Sequence, residues 1–261
     1  MDFWIYILLF TGGLAAGIIN TLAGNGSAIT LSILIFSGLP ADVANITNRV
    51  GAVVQTITAI SGVRQSKRTR FLFKDGMWFL IPATIGSVIG AFMAVEVDPQ
   101  VLRYIIGSIM LTLLITLITN PKKWAGATDT KRSHKTVGNW LWIFAIAIYA
   151  GFLQMGIGIM LLSVLVLIAR YSLRDANIIK LMLAVILVVP AFIVFVINTD
   201  IRWEEGITLA IGQGIGGFVG ARYILFLPKA NLIIKWMLVV ILSVSSILLL
   251  NVPQFIMQLF Q

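Results

Sequence analysis

The chain has 261 residues, of which 59% are hydrophobic and 11% charged, and its mean hydropathy is +1.00. No soluble domain hides that much apolar surface, because surface grows too fast relative to volume, so lipid must be part of its solvent. The net charge of +9 sits in short loops between apolar runs, where it reports membrane orientation rather than nucleic-acid binding, and the absence of cysteine excludes disulfides, thiolate metal ligands and persulfide chemistry.

The opening Met1-Asp2-Phe3-Trp4 lacks the basic stretch of a secretory signal, so the first segment reads as a retained helix with which the mature chain begins. A crossing needs about 20 mostly apolar residues. Apolar runs predict eight full spans, at 3–23, 43–63, 76–95, 102–119, 139–155, 176–197, 206–227 and 232–250. Two further pieces, 27–37 and 159–168, are apolar enough for membrane but only ~15 Å long as helices, half of a ~30 Å hydrocarbon core. They read as half-helices at glycine breaks.

Laid on itself at a spacing of roughly 132 residues, the chain repeats. Gly76, Gly86, Gly90 and Ala91 recur as Gly206, Gly216, Gly220 and Ala221; Ala44-Asn45-Ile46 recurs as Ala176-Asn177-Ile178; Gly24 and Gly26 match Gly156 and Gly158. Residues 1–119 therefore form a first transmembrane repeat, 120–138 a basic linker and 139–261 a second repeat. The basic loop 64–74 (Arg64, Lys67, Arg68, Arg70, Lys74) and the linker are expected on the cytoplasmic side, with Glu96-Val97-Asp98 and the loop around Asp200 outside. The loops around Lys67 and Arg202, which correspond in the repeat, then lie on opposite faces. That parity requires an inverted repeat in which each leading helix and its half-helix form a hairpin, and it puts both termini outside. His134 reads as a solvated linker residue, and Trp4, Trp78, Trp140, Trp142, Trp203 and Trp236 as interfacial anchors.

Inverted repeats with interrupted helices place a transported substrate near the membrane midplane. The breaks are Asn20-Thr21-Leu22-Ala23-Gly24-Asn25-Gly26-Ser27 and Gln154-Met155-Gly156-Ile157-Gly158. Glycine allows a tight turn and close approach, Asn25 or Ser27 can cap the following half-helix, and its exposed N–H groups favour an anion. Arg49 lies ~12 Å into its span beside Asn45, Thr47 and Asn48, and Lys180 occupies the position of Asn48 in the repeat. Charge at that depth costs at least ~2.5 to 3.5 kcal/mol unless it meets water or an opposite charge. No acidic residue lies inside a span, so an anion is the natural counter-charge, unless both stems snorkel to the interface. The candidate substrate-binding set is Asn20, Gly24, Asn25, Gly26, Ser27, Thr47, Asn48, Arg49, Gln154, Gly156, Gly158 and Lys180. Gly12, Gly13, Gly86, Gly90, Gly216 and Gly220 read as helix-packing positions.

The acids sit at span ends or in loops, which disfavours a proton relay through the protein, and no catalytic set, metal site or cofactor is implied. Two other readings stay open: a soft-metal carrier using Met155 and Met160, and a membrane enzyme or subunit of a larger complex. A small anionic substrate and the bilayer are the expected partners, with self-association left open.

Three stretches carry a family resemblance: Gly17-Ile18-Ile19-Asn20-Thr21-Leu22-Ala23-Gly24-Asn25-Gly26-Ser27, Gly38-Leu39-Pro40-Ala41-Asp42-Val43-Ala44-Asn45-Ile46-Thr47-Asn48-Arg49, and Gly86-Ser87-Val88-Ile89-Gly90-Ala91. In these the chain resembles the TauE/SafE sulfite-exporter-like family, also called the toluene sulfonate uptake permease family. The resemblance implies a bacterial inner-membrane carrier for sulfur oxyanions or organosulfonates such as sulfite, thiosulfate, sulfoacetate or toluene sulfonate. Lys180 and the sequence Gly156-Ile157-Gly158-Ile159-Met160 depart from the family pattern.

Overall fold

In the computed structural model, residues 3–22, 24–63, 66–119, 135–224 and 243 are described, and among them every regular element is helical. The first half contains α1 (Phe3–Leu22), α2 (Ser27–Phe36), α3 (Ala41–Gly62), α4 (Lys67–Gly76) with a 3-10 turn Met77–Phe79, α5 (Leu80–Glu96) and α6 (Pro99–Thr119). The second contains α7 (Val137–Phe152), α8 (Ile157–Ser163) with a π turn Val164–Ile168, α9 (Leu173–Asn198) and α10 (Trp203–Val219), which ends in a π turn Gly220–Ile224. The span expected at 232–250, the end of that expected at 206–227, His134, Trp236 and most of the linker fall outside the described residues.

Helix starts follow local chemistry. Ser66, Thr136 and Ser172 accept from the backbone N–H of Thr69, Asn139 and Asp175, three residues on, and Asp98 caps α6 through Gln100 and Val101. Each supplies an acceptor that the first helical turn lacks. Because Thr136 starts α7, the last two residues assigned to the linker are helical. The helices α1, Lys67–Glu96 and Arg174–Asn198 are long and apolar enough to cross a membrane. Helix α3 has the length, but Asn45, Asn48, Arg49, Gln55 and Thr56 are buried on it. It lies among α10, α9 and α1, so protein rather than lipid meets those polar groups.

Helix directions can be read from the contacts. A Cβ on Gly13, Gly17 or Gly216 would strike the backbone at Leu209, Gln213 or Leu14, so α1 and α10 run parallel and touch backbone to backbone. Gly86, Gly90 and Gly151 join α5 to α7 in the same manner, at Phe144, Ile148 and Ser87. Val50 meets Gly206 and Gly62 meets Phe218, so α3 is parallel to α10; Gly76 meets Ile179 and Ser87 bonds Leu187, so α9 is parallel to α5. Along the α3–α9 contact the order reverses: Ile46 packs with Val194 and Phe195, and Ala59 with Leu181. Hence α1, α3 and α10 run opposite to α5, α7 and α9. In each of these three pairs the helix of the first half opposes its counterpart in the second, which is an inverted repeat.

Contacts at Gly86, Gly90 and Ser87 correspond to those at Gly212, Gly216 and Gln213. The structural register is therefore one helical turn away from the pairing of Gly86 with Gly216 that sequence spacing gives. Glycine recurs every fourth residue at Gly212, Gly216 and Gly220, so spacing alone could not fix the turn.

The two bundles do not coincide with the sequence halves. Helices α1, α2, α3 and α10 pack together, as do α4, α5, α7, α8 and α9, so each first helix sides with the opposite repeat's α5 or α10. Between the bundles lie the α3–α9 contact and the two breaks.

Candidate functional site

Helix α1 ends at Leu22 and α7 at Phe152 because the chain turns at Gly24 and Gly156, both with φ of +75°, a region that side chains other than glycine's rarely occupy. Helix α2 then returns along α1: Gly26 lies against Ala16 and Ile33 against Gly12. The first half-helix thus doubles back on the helix before it. The two breaks meet, with the Gly158 N–H donating to the Gly24 carbonyl at 3.1 Å and the two Cα regions in contact.

Both inward cations engage the frayed carboxyl end of the opposite repeat's broken helix. Arg49 donates to the carbonyls of Ala150 at 2.8 Å and Gly151 at 2.7 Å, its guanidinium lying 5.0 Å from the centroid of Phe195. Asn45 adds a bond to the Phe152 carbonyl at 3.0 Å. Lys180 donates to the carbonyls of Thr21 at 2.7 Å and Asn20 at 3.5 Å. Their relative exposures are 0% and 2%, so neither side chain snorkels. The last carbonyls of a helix carry roughly half a negative charge, and this supplies part of the counter-charge that the sequence assigns wholly to an anion. Spare donors remain: Arg49 Nε has no partner among the described residues, and an ammonium has three protons.

Lys180 differs from Arg49 in facing a hollow. A cavity of about 20 Å³ is lined by Asn20, Gly24, Gln55, Gln154, Gly158 and Lys180, among others. That is room for about one water. Asn20 donates to Gln55 Oε1 at 2.6 Å, and Gln154 Oε1 and both amide atoms of Asn25 are buried without a partner among the described residues. Unmet polar groups in a protein interior cost about 1 to 3 kcal/mol each.

Of the sequence-derived set, Asn20, Gly24, Gln154, Gly158 and Lys180 converge on this cavity, and Asn25, Gly26, Ser27 and Gly156 shape the turns beside it. Helix α2 takes Gly26 as its N-cap with no side-chain bond, so neither Asn25 nor Ser27 caps it. Thr47 accepts from the Arg202 N–H at 3.3 Å, and Asn48 accepts from Thr30 at 2.7 Å and Gln213 at 3.5 Å. These two residues and Arg49 hold helices together rather than line the cavity. Gln55, Thr56 and the buried Gln213 were not singled out from sequence; Gln55 falls seven residues after Asn48, on the same α3 face, which helical periodicity could have revealed. Met155 and Met160 pack in apolar clusters.

A profile described as Sulfite exporter TauE/SafE matches residues 9–249. The chain is 25% identical over 257 residues to a probable membrane transporter protein ORF9 of Sinorhizobium sp, spanning 97% of this chain and 95% of that one. It is 26% identical over 245 residues to a probable membrane transporter protein of Haemophilus influenzae, with 92% and 93% covered. It is 25% identical over 246 residues to the probable membrane transporter protein YfcA of Escherichia coli K12, with 93% and 88% covered. No solved structure matches it. Family and relatives are transporters rather than enzymes, in keeping with a helical chain whose buried polar groups gather where two broken helices meet. The chain belongs to the sulfite exporter TauE/SafE family of membrane transporters.

Proposed function

We propose that the chain carries a small anion, a sulfur oxyanion or organosulfonate, across a bacterial inner membrane by alternating access, with Lys180 as the principal anion-binding cation. The supporting observation is a buried ammonium, in no ion pair among the described residues, on the wall of a small cavity bounded by both helix breaks. An anion there accepts a hydrogen bond from a spare Lys180 N–H, with the amides of Asn20, Gln55 and Gln154 turning donors toward it. At about 20 Å³ the cavity is too small for an oxyanion. Admission therefore parts the Gly24–Gly158 contact, and that parting links binding to movement of the bundles. Arg49 serves as the clamp that holds the α7 end. The basic segment expected as a loop at 64–74, which is helix α4 from Lys67 onward, and the linker face the cytoplasm under this reading.

Flux of labelled sulfite, thiosulfate and an aryl sulfonate into proteoliposomes tests the reading. Anion flux above that of protein-free vesicles, lost in Lys180→Met, is the expected result. Flux unchanged by Lys180→Met rejects the site, and transport confined to cations rejects the substrate class.

A further inference from the structure

Helix α4 has three faces. Thr69, Leu72 and Gly76 are buried, and α4 packs on α9. Arg68 and Asp75, seven residues apart and so on one flank, are committed to ion pairs: Arg68 with Asp175 at 2.5 Å, Asp75 with Lys135 at 3.5 Å, and Asp75 also accepts from the Tyr171 hydroxyl. The third face holds Lys67, Arg70, Phe71 and Lys74 within an arc of roughly 100°, continued by Met77 and Trp78 in the 3-10 turn. All six are exposed, and no acid lies among them.

That face mixes cations with large apolar groups, 56% exposed at Phe71, 50% at Met77 and 46% at Trp78. Water alone would leave the apolar groups hydrated, and hydrocarbon alone would strand the cations; the headgroup layer suits both. The helix also leads directly into the membrane-crossing α5, which puts it at that depth. The flank contacts stop α4 from rolling, so the face is presented in one orientation.

We propose that Lys67, Arg70 and Lys74 form a docking surface for anionic phospholipid headgroups, with Phe71, Met77 and Trp78 seated among the acyl chains just below. The lipid phosphate accepts from the cations, while the flank acids, already paired, do not repel it. This surface is separate from the cavity at Lys180 and stands whether or not that cavity binds an anion.

The test is native mass spectrometry of the full chain in detergent, titrated with phosphatidylglycerol or phosphatidylcholine. Surface cations contribute roughly a fivefold gain in affinity each, so wild type should prefer phosphatidylglycerol about a hundredfold. A triple Lys67→Gln, Arg70→Gln, Lys74→Gln variant should lose most of that preference, and Arg70→Gln alone about fivefold. Arg202→Gln and Arg222→Gln, exposed cations elsewhere, should retain it. Raising salt toward 1 M, where screening acts within about 3 Å, should shrink the wild-type preference even if the triple variant does not fold. Equal binding of the two lipids by wild type, an undiminished preference in the triple variant, or displacement of the lipid by equimolar inorganic phosphate overturns the proposal.

Discussion

Replacing Lys180 by Met separates anchoring from anion binding. The side chain makes one good bond, to the Thr21 carbonyl at 2.7 Å; that to Asn20, at 3.5 Å, counts for little. A charge-assisted bond contributes about 1.5 to 3 kcal/mol, and removing a charge from membrane depth recovers about 2.5 to 3.5 kcal/mol. The two terms nearly cancel, so Lys180→Met should fold with stability within about 2 kcal/mol of wild type. Arg49→Met loses two such bonds, at 2.8 and 2.7 Å, together with the Phe195 contact. That is about 4 to 8 kcal/mol lost against the same recovery, a net destabilisation of about 1 to 5 kcal/mol. Thermal unfolding in detergent, beside proteoliposome flux, reads both quantities. Lys180→Met should be stable and inactive, Arg49→Met unstable. A Lys180→Met protein that transports normally, or unfolds as readily as Arg49→Met, refutes the division of labour.

At the break contact, Ala at Gly158 would collide with Gly24 and Ala at Gly24 would also be strained by its positive φ; each should destabilise by about 2 to 5 kcal/mol in the same unfolding assay. Gly38→Ala, with φ of +95° but open space, should cost only about 1 to 2 kcal/mol. Gly138→Ala, in open space on α7, should be neutral or stabilise by up to about 1 kcal/mol. A double-mutant cycle on Arg68 and Asp175 should return no more than about 1 kcal/mol, since Arg68's side chain is 48% exposed and water screens the pair. Burial, followed by the bond to Asp75, raises the Tyr171 pKa. Folding thus favours the protonated phenol, whose contribution is complete below the ordinary value of about 10 and fades as pH rises beyond it. Unfolding curves between pH 8 and 11 should show a loss of stability that Tyr171→Phe lacks.

Hydrophobic run length revealed the apolar helices, their boundaries mostly within a few residues, because lipid demands long apolar segments whatever their neighbours, but it missed α4, whose basic residues 67–74 read as a loop and are helical. Parity of the basic loops revealed the inversion. Which helix pairs with which was illegible: α1 could meet α10 or α5 through the same small-residue surface, and only docked backbones select Gln213 opposite Gly17. Around the breaks, glycine and buried charge in the sequence pointed to Gly24, Gly158 and Lys180, which line the candidate cavity, and to Arg49, which lies outside it. Their partners stayed hidden because a carbonyl at a helix end looks like any other backbone group in sequence. Hence the cations could be located, but not the carbonyls of Thr21, Ala150 and Gly151 that hold them.

The swapped packing predicts which bodies move. Were the sequence halves the rigid units, α3 would slide against α10, which belongs to the other repeat. Yet these two pack closely along their length, Gly206 against the Val50 side chain, Gly217 against the Gln55 carbonyl and Gly62 against the Phe218 carbonyl, a contact with little room to shear. The mobile seam is instead α3 against α9, where small residues such as Ala59 and Ala191 face branched side chains. A chain without native cysteine allows a clean test. Disulfide cross-linking of Val54→Cys to Gly214→Cys, within one bundle but between sequence halves, should leave flux at wild-type level. Cross-linking Ala59→Cys to Leu181→Cys, across the seam, should arrest it, and reduction should restore it. The opposite pattern would mean that the sequence halves rock as units and that the parallel helix pairs break at every cycle.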